Sequence, residues 1–128
     1  MPPWLLARAR YIALTVGTIA VGLAVHWRGD VLSPVVRDVL GDALWAAMVV
    51  WWVAVFAPLS RPPWRAAVAL AICFAVEFSQ LWHLPALDAL RQTTAGHLVL
   101  GSGFDPRDLA AYTAGVLTAV FLERATKR

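Results

Sequence analysis

Apolar residues along this chain come in four long runs, separated by short polar or proline-rich stretches. A helix that crosses the hydrocarbon layer of a membrane needs about 20 apolar residues. Four segments approach that length, and the pattern predicts helices over approximately residues 8–27, 40–59, 65–85 and 105–123. Ala, Leu and Val run on without the alternation that a membrane barrel strand requires, so helices are preferred to strands. The last run is the weakest, because its uncharged stretch begins only at Leu109. Arg8 and Arg10 give the first run the basic flank of a signal peptide, but no small-x-small cleavage pattern follows, and it is read as a retained span. The expected fold is all-α: an integral membrane protein with a four-transmembrane-helix bundle, forming one transmembrane domain over residues 1–128.

The connections differ in length and character. Pro-Leu-Ser-Arg-Pro-Pro-Trp (58–64) is short, and its prolines end one helix and open the next. It predicts an antiparallel pair of second and third spans. Ser33-Pro34 has the pattern of an N-cap followed by proline at the first helical position. A helix starting there would either lie along the membrane interface or run past Gly41 into the second span. The longest connection, His83 to Phe104, is expected to be structured. Its apolar piece Leu98-Val99-Leu100, flanked by glycines, is a candidate re-entrant segment, provided protein or a wet cavity shields its backbone.

Composition strengthens the membrane reading. The chain is 60% hydrophobic and 15% charged, whereas soluble domains are about 45–50% apolar and about 25% charged. The net charge of +3 does not imply nucleic acid, because the basic residues stand at the ends of apolar runs. Cys73 is the only cysteine, which excludes an intramolecular disulfide and a cysteine-built metal site. With a cytoplasmic N-terminus, the inner segments carry Arg8, Arg10, Arg61, Arg65, Arg124, Lys127 and Arg128. The outer segments carry Arg28, Arg37, Arg91 and Arg107. The excess inside places both termini in the cytoplasm. Trp4, Trp27, Trp45, Trp64 and Trp82 fall near span ends, as an interfacial belt would.

Polar groups inside or beside the spans are the candidate chemistry. Glu77 lies within the third run, where a lipid-facing carboxyl group is costly, so it should face the bundle interior. Gln80 shares its helical face. Arg91 is the natural charge partner for Glu77, or for an anionic ligand. Asp105-Pro106-Arg107-Asp108 has the form of a helix start, with Asp105 as the cap. Asp108, Tyr112 and Gly115 then share one face of the last helix. Asp42 either caps the second helix or contributes to a site, and His97 is a candidate base, metal ligand or phosphate partner. Asp42, Glu77, Gln80, Arg91, His97, Asp108 and Tyr112 all fall at the outer face and form the expected ligand-binding set. No cofactor or metal is expected. The inner half reads as almost free of ionisable groups, which disfavours a transporter or proton channel.

Glu77-x-x-Gln80, Arg91 and Asp108-x-x-x-Tyr112-x-x-Gly115 resemble the pattern of the VanZ-like membrane proteins. Those carry Glu-x-x-Gln, a following Arg, and Asp-x-x-x-Asn-x-x-Gly in the last helix. Tyr112 departs from the family's Asn. Gly41 to Trp45, Glu77 to Leu81 and Gly96 to Phe104 look closer still to a short bacterial branch classed as a domain of unknown function. The resemblance covers roughly residues 8–122. It implies four helices, the bacterial cytoplasmic membrane and a connection to the cell envelope, and brings no reaction with it.

Three functions follow as expectations. The favoured one is a polar pocket at the extracytoplasmic face that binds an envelope lipid headgroup or a small polar ligand. The second is a membrane-embedded enzyme on a lipid-linked substrate, with Glu77 or Asp108 as base, His97 as acid and Arg91 stabilising negative charge. The third is a structural protein whose polar cluster fixes the fold or a homo-oligomer. Membrane lipid is the expected partner in each case.

Overall fold

A computed structural model of the chain describes residues 2–79, 85–93 and 106–126. It is all-α. Among the described residues five helices follow one another: α1 (Pro3–Arg28), α2 (Pro34–Phe56), α3 (Pro62–Ser79), α4 (Pro85–Arg91) and α5 (Pro106–Thr126), with a 3₁₀ turn at Gly29–Val31 between α1 and α2. Each of the five opens on a proline. Proline at the first helical position has its φ already set, and the N–H it lacks would have had no partner within the helix.

Several bounds differ from the sequence-based expectation. The first helix begins at Pro3 and not near residue 8. The second begins at Pro34 and not near residue 40, because Ser33 caps it: its Oγ accepts from the Val36 N–H at 3.3 Å. It runs straight through Gly41, which has open space beside it. The Ser33-Pro34 start is therefore the start of the second long helix itself. The third long helix opens at Pro62 and not near residue 65, and is described as far as Ser79; Pro85 opens the short α4. The last begins at Pro106 and extends to Thr126. The re-entrant piece 98–100 and the Asp105 cap lie outside the described residues.

By length and composition, α1 and α2 are each able to cross a membrane. α2 is the central element, packed against α1, α3 and α5. Its inward line is Ala46, Val50 and Ala54, all fully buried. Ala69 and Cys73 of α3 and Val116 and Ala119 of α5 meet that line, also with almost no exposure. These side chains are small or β-branched, so the backbones come close. At Gly115 the α2 backbone comes so close that a Cβ would clash with the carbonyl oxygen of Ala43. Large apolar side chains point outward instead, among them Ile12, Val16 and Val21 of α1, Val35 and Val39 of α2, and Leu117 and Phe121 of α5.

Candidate functional site

Beside the Gly115 contact, α2, α3 and α5 bring their carboxyl groups together. Glu77, fully buried on α3, accepts a hydrogen bond from Tyr112 of α5, Oη to Oε2, at 2.8 Å. Asp42 of α2 lies beside Asp108 of α5, within electrostatic reach of Glu77 and Asp38. Asp42, Glu77 and Asp108 all act on the Tyr112 hydroxyl. The helical spacing that put Asp108, Tyr112 and Gly115 on one face thus directs the first two to the site and the third to the α2 backbone. Gly115 admits that backbone, and this brings α5 near enough for Asp108 to reach Asp42.

Asp42 does not cap a helix. It lies more than two turns inside α2, because Ser33 caps the helix upstream. Trp45, one turn on, was expected in the interfacial belt. It packs against Tyr112, ring centroids 5.9 Å apart and planes at 47°. Its Nε1 is buried without an acceptor among the described residues. Trp4, Trp27 and Trp64 are exposed near helix ends.

Arg91 is buried at the end of α4. Nη2 donates to the Ser79 carbonyl at 2.9 Å and Nη1 to Asp88 Oδ1 at 3.1 Å. The Ser79 bond ties α4 back to the last turn of α3. Gln80 and His97 lie outside the described residues.

The expectation that the opposite end holds almost nothing ionisable is overturned. There Arg65 Nη2 donates to Glu123 Oε1 at 2.8 Å, and both side chains are 1% exposed. Tyr11 donates its hydroxyl hydrogen bond to the same Glu123 oxygen, and the Arg65 guanidinium lies 4.9 Å from the centre of the Tyr11 ring. Arg65 also donates to the Ser60 carbonyl at 3.0 Å, and Arg8 donates to the Val55 carbonyl at 2.9 Å. These residues looked like solvated span-end charges. The available signal was periodicity: Glu123 continues the face of Asp108, Tyr112, Val116 and Ala119, and that face turns inward along all of α5.

Glu77 and Arg65 stand 12 positions apart on α3, about 18 Å along its axis. The layer between them is the apolar core around Val50, Ala69, Cys73 and Val116. The two clusters are therefore separate. Chemically, the Glu77 cluster offers acceptor oxygens to a ligand's N–H or O–H groups, together with one phenol and one indole. Among the described residues no group of three His, Cys, Asp or Glu is arranged to hold a metal ion.

No solved structure matches the chain. The profile of a family described as "Protein of unknown function (DUF2809)" matches residues 31–116, a stretch that includes Asp42, Glu77, Arg91, Asp108 and Tyr112 and stops short of Tyr11 and Glu123. The chain belongs to that family.

Proposed function

We propose that this is a polytopic protein of the bacterial cytoplasmic membrane whose carboxyl-lined end binds an envelope lipid headgroup or a small polar ligand. In this reading α1, α2, α3 and α5 are the spans. The outward-facing Ile, Val, Leu and Phe side chains support it, since lipid is a solvent that accepts them at no cost. α1 and α2 hold 26 and 23 residues, and at 1.5 Å per residue each exceeds the hydrocarbon thickness of about 30 Å. The arginines at the Arg65 end support a cytoplasmic position for that end and for both chain termini. The Glu77 end is then extracytoplasmic. Kinship with the VanZ-like proteins belongs to the same reading, and rests on Glu77, Arg91, Asp108 and Gly115.

The observation that carries the binding function is the convergence of Asp42, Glu77, Asp108 and Tyr112 from three helices. Such a set suits a ligand rich in hydrogen-bond donors, such as a hydroxyl- or amine-bearing headgroup. Arg91 at the rim would meet an anionic part of the same molecule. The test is native mass spectrometry of the protein released gently from its own membrane, with Glu77→Gln and Arg91→Ala in parallel. A specific adduct on the wild type that both variants lose is expected, and its mass gives the ligand class. Folded variants that keep the same adducts as the wild type would remove the pocket from consideration. A Glu77→Gln variant that binds and functions normally would also exclude the alternative in which Glu77 is an essential general base.

A further inference from the structure

The Arg65 end carries a second site, of opposite sign. A guanidinium directs five N–H bonds outward in its own plane. Arg65 uses Nη2 for Glu123 and Ser60, and the Tyr11 ring covers one of its flat faces. Nε and Nη1 are buried and have no acceptor among the described residues. Buried donors of this kind are nearly always bonded to something, whether protein, water or a bound group. Arg8, Arg10, Arg61, Arg65 and Arg124 belong to this end, against one carboxylate among the described residues, that of Glu123. Arg61 and Arg124 are exposed. Ser60, whose carbonyl Arg65 holds, lies on the α2–α3 connection at the rim, so the guanidinium sits directly beneath the surface of this end. A water molecule would satisfy the N–H groups but would leave the excess of positive charge.

We propose that this end binds a phosphate-type oxyanion, with Arg65 Nε and Nη1 as the buried donors and Arg61 and Arg124 as the outer cations. Oxyanion recognition by arginine is favoured by the planar, permanently charged donor set. The anion is either the headgroup of an acidic phospholipid or free phosphate. The lipid source rests on the membrane reading above, and free phosphate does not.

The test uses the full chain in two arms. One measures retention of phosphatidylglycerol against phosphatidylcholine by native mass spectrometry after reconstitution in a mixture of the two. The other titrates inorganic phosphate in detergent by calorimetry. Selective phosphatidylglycerol retention identifies the headgroup, and a phosphate isotherm identifies the free anion. Arg65→Lys keeps a cation for Glu123 but removes the planar donors, and it should weaken binding about tenfold or more. If Arg65→Lys does not fold, the surface pair Arg61→Gln with Arg124→Gln must weaken binding instead. Glu77→Gln should leave this binding unchanged, which separates failure here from failure of the carboxyl-lined pocket. Equal retention of both lipids with no phosphate isotherm overturns the proposal, as does selective binding that survives both sets of arginine variants.

Discussion

The two polar ends of the bundle are built from similar side chains and differ in charge balance. At the Arg65 end a guanidinium, a carboxylate and a phenol from α3, α5 and α1 meet in one contact. At the Glu77 end three carboxyl groups meet a phenol. The first arrangement ties three helices together by pairing opposite charges. The second brings like groups together, where neighbouring carboxyl groups stay close only if a proton is retained between them, so the pairing of opposite charges does not account for it. Burial of a charge therefore does not by itself distinguish a structural group from a binding group. The balance of its neighbours does, and the same criterion singles out the incompletely bonded edge of Arg65 within the otherwise paired end.

Breaking the paired end should give the largest effect. Glu123→Ala leaves Arg65 buried without its anion and should cost about 3–5 kcal/mol, read as a fall in the midpoint of denaturant unfolding in detergent. Arg65→Met combined with Glu123→Leu should recover most of that loss. A double variant no more stable than the single one would show that the two charges are not coupled. Gly115→Ala comes next, since its methyl group would meet the Ala43 carbonyl. The overpacking should cost about 1–3 kcal/mol and separate Asp108 from Asp42. A neutral Gly115→Ala would mean that α2 and α5 do not touch there.

The smallest effects sharpen the comparison most. Tyr11→Phe and Tyr112→Phe each delete one hydroxyl that donates to a buried carboxylate, and each should cost about 1 kcal/mol of stability. Only Tyr112→Phe should also reduce retention of the ligand sought at the Glu77 end. Equal stability losses with ligand retention unchanged in both would make the two ends alike, and the distinction drawn here would fall.

Much of this was legible in the chain. Glu77 turned inward because a carboxyl group within an apolar run has no other favourable place. Asp108 and Tyr112 met the site together because helical spacing put them on one face. The Ser33 cap was visible as a local pattern, although its consequence, that Asp42 lies inside a helix, was not drawn from it. The pairing of Arg65 with Glu123 was not legible, for a physical reason. A charge at the end of an apolar run is ordinarily solvated, and nothing local distinguishes one that is enclosed. Trp45 was misread in the same way, since an indole near a span end suits headgroups and a packed interior equally well.

The sequence by itself determined that the chain is all-helical and which runs are apolar, because the spacing of apolar residues, prolines and serine caps acts within a few positions of itself. Only the tertiary structure decided which charges meet. Arg65 and Glu123 are 58 positions apart, and Asp42 and Asp108 stand on different helices. Their pairing depends on how closely α5 can approach α2 and α3. That distance is set at Gly115 and along the small side chains of the core, where the backbones pack with almost nothing between them.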